Sequence, residues 1–233
     1  EQDELAAERK RLTGILKSDE KLRNLIRDEL LALAEKHGDA RRTVLVEREA
    51  AQALAETDLV ASEPVTVVLS TAGWVRSAKG HEIDPAALSY RAGDGFLAAA
   101  RGRSTQLAVF IDSTGRAYCL PAHTLPSARG QGEPLSGRLN PPPGATFRGA
   151  LLGEPAQRCL LVTDAGYGFF VPLGELHSRN RAGKAALRVP PGAGVLVPVL
   201  ATGPEFPGRA QVAAVNTEGR LLVFPASELP ELA

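Results

Sequence analysis

Methionine is absent from the 233 residues, position 1 included, and only two cysteines and one tryptophan occur. Aromatic residues make up 5% of the chain. Two thiols, Cys119 and Cys159, are too few for a disulfide framework or a four-thiolate metal site. The four histidines, 37, 81, 123 and 177, are more than 40 residues apart, so the paired spacing that metal sites use is absent too. No apolar run approaches the roughly 18 residues that a membrane-spanning helix needs. The first eleven residues are densely charged, unlike a signal peptide. A reading frame that opens without methionine, inside a charged helical pattern, is expected to be a fragment of a longer protein.

Net charge is also missing: Lys+Arg and Asp+Glu both number 27. The balance hides an asymmetry. Residues 1–62 hold 11 basic and 14 acidic side chains, whereas residues 76–188 hold 14 basic and 8 acidic. A local excess of this size permits binding to a polyanion without proving it.

Proline is absent before Pro64, and Leu5, Leu12, Ile15, Leu22, Ile26 and Leu33 recur at steps of 3, 4 or 7. This spacing predicts helices over residues 1–38 with one apolar face. Thr13-Gly14 weakens the first stretch. Ser18 before Asp19 and Glu20 is a helix start, and Gly38-Asp39 a stop. A helical hairpin belonging to a larger body is expected. A short β-branched piece, Val44–Val46, follows.

Composition then changes sharply. All 17 prolines lie at or after Pro64, 21 of the 23 glycines lie at or after Gly73, and only Lys79 and Lys184 remain of the lysines. Turn-rich and strand-rich chemistry of this kind puts a domain boundary near residues 56–64, dividing the chain into 1–62 and 63–233. The second part repeats itself. Val65–Leu69 with Gly73, Leu107–Ile111 with Gly115, Leu160–Thr163 with Gly166, and Val212–Val215 with Gly219 share one pattern of apolar run, polar turn and glycine. The glycines are 42, 51 and 53 residues apart. Pro121, Pro172 and Pro225 each follow six residues after a turn glycine, and Leu125, Leu176 and Leu229 four residues after that. Repeats of roughly 40–50 residues holding about four short strands indicate a propeller-like array, whose units bury their faces only by stacking. The fold class is therefore mainly β with an N-terminal helical segment, in about four blades.

Seven stretches in order carry a resemblance: GDARRT at 38–43, SEPVTVVLS at 62–70, GWVRSAKGH at 73–81, VFIDSTGRAY at 109–118, LPSARGQGEPL at 125–135, DAGYGF at 164–169 and SRNRAGKA at 178–185. Together they resemble the C-terminal part of the A subunits of bacterial topoisomerase IV, type IIA DNA topoisomerases. The resemblance implies that residues 1–62 are the end of a coiled-coil arm, a return helix and a linker. It implies that residues 63–233 are a β-pinwheel, truncated at its C-terminal end, whose rim binds and bends DNA. The intact enzyme it implies has two A subunits and two ATP-hydrolysing B subunits, uses magnesium, relaxes supercoils and unlinks daughter chromosomes. It would be cytoplasmic and chromosome-associated, or peripheral at the inner membrane. The gyrase A subunit is the sister reading. Its basic, glycine-rich box is missing from GHEIDPAALSYRAGD at 80–94, which favours topoisomerase IV and argues against strong wrapping of DNA. A propeller that docks a protein partner is the reading from a different class.

The family cleaves DNA through a tyrosine preceded by arginine. Tyr90, Tyr118 and Tyr167 are the only tyrosines, none follows an arginine, and all three are expected in structural roles. No catalytic residue and no metal ligand is therefore assigned, and the segment is expected to be inactive alone. Gly130-Gln131-Gly132 is followed by no GK[ST], so no ATP site is expected, and magnesium and ATP would bind elsewhere in the intact enzyme. The basic loops carry the functional signal. Ser127–Gly132, with Arg129, and Ser178–Lys184, with Arg179, Arg181 and Lys184, occupy equivalent places, since Gly132 and Gly183 each lie 17 residues after their turn glycine. Glycine lets backbone approach a phosphate, Arg and Lys neutralise it, and Ser or Asn adds hydrogen bonds. These residues are expected to lie exposed along one edge beside Arg76, Lys79 and Arg138, where they would contact bent duplex rather than read bases.

Overall fold

The structure is a computed structural model that describes residues 1–39, 43, 61–201 and 210–232. Val44–Val46 lies outside the described residues, as does most of the expected boundary near 56–64. Contacts divide the chain into two units, Glu1–Ala53 and Leu54–Ala233.

In the first unit, α1 spans Gln2–Leu16 and runs through Thr13-Gly14 without a break, and α2 spans Asp19–His37. The two helices pack on each other. The Ser18 side chain accepts from the Lys21 amide at 3.4 Å, satisfying one of the orphan amides at the start of α2. Asp19 and Glu20 open α2 and Lys36 and His37 close it, each sign suiting its end of the helix dipole. Gly38 ends the helix in an extended conformation, not a left-handed one. Neither helix buries a residue, so Leu5, Leu12, Ile26 and Leu33 of the apolar stripe stay exposed.

The second unit is a succession of antiparallel sheets. Sheet I has the order β3-β1-β2-β6, with β1 at Pro64–Ser70, β2 at Trp74–Lys79, β3 at Phe96–Arg103 and β6 at Glu133–Pro134. Sheet II has the order β10-β5-β4-β7, with β4 at Leu107–Asp112, β5 at Arg116–Pro121, β7 at Phe147–Leu151 and β10 at Lys184–Ala185. Sheet III joins β11 (Val199–Leu200), β8 (Arg158–Val162) and β9 (Gly168–Pro172), and sheet IV pairs β12 (Gln211–Val215) with β13 (Leu221–Pro225).

The four predicted turns stand where the repeats put them. Gly73, Gly115, Gly166 and Gly219 have φ of 78°, 80°, 82° and 78°, the left-handed region that glycine enters without strain. Position −3 from each glycine is Ser70, Asp112, Thr163 or Asn216. The Ser70, Asp112 and Asn216 side chains accept amide hydrogens from their own turns. Pro121, Pro172 and Pro225 each end a strand and precede a short 3-10 turn. Sheets I and II also share a bulge at the same register, between Leu69 and Ser70 and between Ile111 and Asp112.

Each of sheets I and II takes its closing strand from the following repeat. β6 begins eight residues after Leu125 yet pairs with β2, and β10 begins eight residues after Leu176 yet pairs with β5. A parallel bridge just beyond a 3-10 turn recurs as well, between Ser77 and Ser127 at sheet I and between Phe170 and Glu231 at sheet III. The expectation of about four strands per blade is met by sheets I and II. Sheets III and IV have three and two strands among the described residues.

The core lies between sheets, as a stacked array requires. Val67, Leu69, Phe110, Tyr118 and Phe147 join sheets I and II. Val109, Ile111, Leu151, Leu161 and Val171 join sheets II and III. β4 thus sends alternate residues into two different cores, so Ala108–Ile111 are all buried. Phe147 meets Phe110 and Tyr118 edge-on, with ring centres 6.4 and 5.7 Å apart. Burying each such side chain contributes about 1.5–3 kcal/mol.

Candidate nucleic-acid interface

Two loops of one design follow the 3-10 turns. In the first, Ser77 pairs its amide with Pro126 O at 2.7 Å and its carbonyl with the Ala128 amide at 2.9 Å, carrying the loop across β2. The Ser127 hydroxyl accepts from the Arg129 amide at 3.4 Å. In the second loop the Ser178 hydroxyl accepts from the Asn180 amide at 3.2 Å, and Asn180 Oδ1 accepts from the Ala182 amide at 2.9 Å. Ser127 and Ser178 both stand two residues after the repeat leucine, so one turn chemistry shapes both loops.

Glycine closes each loop against the sheet. Gly132 has φ +86°, and a Cβ there would strike the Val75 carbonyl. Gly183 has φ +70°, and a Cβ there would lie 2.6 Å from Cε1 of Tyr118. An arginine from the sheet then holds each loop's carbonyls. Arg76 donates to Gly130 O at 3.1 Å in the first loop. Arg116 donates to Ala182 O and Gly183 O at 2.9 and 3.0 Å in the second. Arg116 was not among the residues singled out from sequence. Its signal was its place directly after a turn glycine, where a strand resumes and its side chain must lie along the neighbouring loop.

Arg129, Arg179 and Arg181 are exposed, and among the described residues they form no ion pair. Arg138, Arg179 and Arg181 come together with Asn180 and Cys119 around one open cleft of about 250 Å³. Arg138 is half-buried there and is already engaged, donating to Thr124 O at 2.9 Å, Thr124 Oγ1 at 2.8 Å and Glu133 at 3.1 Å. The Arg181 carbonyl accepts from the Asn140 amide at 2.8 Å, tying the two walls of the cleft. Lys79 and Lys184 lie outside this cleft. Lys79 pairs with Glu63 at 2.9 Å, and Lys184 donates to Glu175 O at 2.6 Å.

Arg76 corrects the expectation of an exposed edge residue. It is 4% exposed. Its guanidinium lies 4.5 Å from the centre of the Tyr90 ring, and its bond to Gly130 O offsets part of the cost of removing the charge from water. The reason is register: Arg76 stands three residues after Gly73, as Tyr118 stands three after Gly115, and that position points under the loop.

Tyr118 is fully buried, and its hydroxyl donates to Asp112 at 2.8 Å. Burial first, then this bond to a carboxylate, raises its pKa well above the usual phenol range. The Tyr90 hydroxyl donates to Pro85 O at 2.6 Å. Tyr167 is the first residue after the Gly166 turn and is 65% exposed. Cys119 and Cys159 are free thiols. Burial raises both, Cys159 to about 12, which makes them poor nucleophiles. Burial also lowers the pKa of His177 at the root of the second loop. Among the described residues no group of His, Cys, Asp or Glu could hold a metal ion, and no helix is long and apolar enough to cross a membrane.

No protein-family model matches the chain. Known proteins do. The A subunit of DNA topoisomerase 4 from Pseudomonas aeruginosa is 58% identical over 232 residues, covering 100% of this chain and 30% of that protein. Its counterpart in Escherichia coli K12 is 51% identical over 233 residues, again 100% of this chain and 30% of that protein. The solved structure of the E. coli ParC C-terminal domain is 52% identical, covers 73% of this chain and 68% of that domain, and superposes with a TM-score of 0.65. The chain belongs to the family of topoisomerase IV A subunits. A second solved structure, the C-terminal domain of DNA topoisomerase IV, has a TM-score of 0.59 at 19% identity, covering 75% of this chain and 55% of that one, and shows the shared fold. The fold is thus the β-pinwheel of the C-terminal domains of topoisomerase IV A subunits, preceded by two helices. The chain spans 30% of the length of these two topoisomerase IV relatives. The sister reading, a gyrase A subunit, is set aside by these identities.

Proposed function

We propose that residues 63–233 hold and bend duplex DNA for a topoisomerase IV, orienting the segment that the intact enzyme passes. The observation that carries this reading is the repetition of one loop design on neighbouring sheets. In both, a serine-capped turn closed by a left-handed glycine lifts unpaired arginines into solvent: Arg129 on one loop, Arg179 and Arg181 on the next. Side chains of this kind neutralise backbone phosphates and carry no base information, which suits a surface that follows a curved duplex. Arg138 and Lys184 supplement them by exchanging a local partner for a phosphate. Lys79 does the same at the end of β2, while Arg76, enclosed beneath the first loop, holds that loop in place through Gly130 O.

In the intact enzyme this region would work with a second A subunit, its homodimer partner, and with two B subunits, which bring ATP hydrolysis. Magnesium and the cleaving tyrosine would come from the breakage–reunion body. Supercoil relaxation and decatenation of daughter chromosomes belong to that assembly, in the cytoplasm on the chromosome. The chain alone should neither relax nor cut supercoiled plasmid.

The test is a fluorescence-anisotropy titration of the chain with labelled duplex DNA at several salt concentrations. Binding that weakens steeply with salt and varies little with sequence supports the reading. Salt-independent or absent binding would overturn it and favour a surface that docks a protein.

A further inference from the structure

Two arginines, Arg76 of β2 and Arg91 of the segment between β2 and β3, lie against aromatic rings. The Arg91 guanidinium is 3.5 Å from the centre of the Trp74 ring, and that of Arg76 is 4.5 Å from the centre of the Tyr90 ring. Each arginine also reaches the first basic loop. Arg91 Nε donates to Gln131 Oε1 at 3.1 Å, and Arg76 donates to Gly130 O at 3.1 Å. Segment 80–95 is therefore fastened to the loop that carries Arg129 directly by Arg91, and indirectly by Tyr90, which rests on Arg76 of β2.

Burial separates the roles of the two arginines. Arg76 is enclosed, and one of its terminal nitrogens is buried without a hydrogen-bond partner. Arg91 is exposed, and among the described residues it forms no ion pair. The nearest acid along the chain, Asp94, is committed elsewhere. Its carboxylate accepts from the Thr71 hydroxyl at 2.7 Å and from the amides of Ala72 and Gly95, both at 2.8 Å. The Arg91 charge is thus uncompensated, and it sits beside a loop with its own unpaired arginine. Stacking on an indole fixes the guanidinium plane while leaving one face and the terminal nitrogens open. A cation held in this way loses less freedom when it meets a phosphate.

We propose that Arg91 is a further phosphate-contacting residue of the duplex-DNA interface, presented by Trp74 and Gln131. Arg76 and Tyr90 are positioning residues that hold segment 80–95 beside Arg129. This rests on the duplex-binding reading above. The segment that lacks a basic, glycine-rich box contributes a single braced cation in place of a flexible cluster.

Trp74 is the only tryptophan, so its emission reports on this spot alone. The whole chain is titrated with a labelled duplex oligonucleotide at several salt concentrations, following anisotropy and Trp74 emission together. In the parent, emission should change with the same midpoint as anisotropy. Arg91→Ala should weaken binding roughly 3- to 10-fold at low salt and lower the salt slope by about one unit. Arg91→Lys should keep the slope while losing the emission change. Tyr90→Leu should lower the slope as Arg91→Ala does, with its far-ultraviolet circular dichroism unchanged. If the parent binds and Arg179→Ala/Arg181→Ala/Lys184→Ala weakens it, yet Arg91→Ala matches the parent at every salt and emission stays flat, this inference is overturned and the duplex reading stands. If the parent itself shows no salt-dependent binding, the duplex reading fails and takes the inference with it. Should Arg91→Ala not fold, the parent's emission, which needs no variant, decides.

Discussion

Gly183 sits directly over the ring of Tyr118, so close that a Cβ at 183 would lie 2.6 Å from Cε1 of that ring. The Tyr118 hydroxyl in turn donates to Asp112 of the β4–β5 turn at 2.8 Å. One chain of contact therefore runs from the hairpin turn of sheet II to the glycine that closes the second basic loop.

Gly183→Ala should disrupt that packing. The position has φ +70°, where an L side chain is strained, and the added methyl meets a ring locked in the core. A loss of about 1–3 kcal/mol is expected, read as a lower midpoint in urea. Duplex binding should weaken as well, because the loop cannot close with Arg181 and Lys184 in place. Unchanged stability and binding would show that the loop tolerates displacement.

Replacing Arg179, Arg181 and Lys184 together with Ala should lower the salt slope of duplex binding by roughly one unit for each phosphate left without its cation. Affinity should fall about equally for all sequences. Stability should change by no more than about 0.5 kcal/mol per site, since these side chains are exposed. A triple variant that binds like the parent at every salt would make these loops ordinary surface.

Tyr118→Phe leaves a buried carboxylate oxygen of Asp112 without its donor, at an expected cost of about 1–3 kcal/mol. In the parent one tyrosine should resist ionisation well above pH 10, and that behaviour should vanish in the variant. The sign follows from the raised pKa. The folded state keeps the phenol proton more tightly than the unfolded state, so this contribution is full below about pH 10 and declines as pH rises beyond it. Ultraviolet titration of phenolate absorbance checks both points.

Asp94 controls the acid side of sheet I. Partial desolvation acts to raise its carboxyl, but hydrogen bonds from Ser70, Thr71, Ala72 and Gly95 outweigh it and hold it down to about 2. Its contribution is present above the ordinary carboxylate value of 3.8 and is lost as pH falls from there toward about 2. Asp94→Ala should lower stability at neutral pH by about 1–2 kcal/mol. It should also flatten the acid limb of stability measured between about pH 4 and pH 2. An unchanged acid limb would remove Asp94 from that role.

Much of this was legible because the repeats act through backbone chemistry. A glycine at fixed spacing, a proline six residues on and a leucine four beyond it dictate a turn, a strand end and a 3-10 turn wherever they recur. Exposed loop arginines follow from the same register. Arg76 was misplaced, because alternation along β2 does not reveal that a loop from the next repeat folds over its outer face. Arg116 was overlooked for the same cause: its partners, Ala182 and Gly183, lie 66 and 67 residues away in sequence. Contacts of that range depend on how repeats are stacked, which local pattern does not encode.

The borrowed strands β6 and β10 have a consequence for anyone who cuts or grafts this array. The repeat unit in the sequence and the closed sheet in space are out of phase by roughly half a module. A cut placed at a repeat boundary would strip one sheet of its last strand and leave a stray strand on its neighbour. A graft that keeps whole sheets must end after the borrowed strand, inside the next repeat.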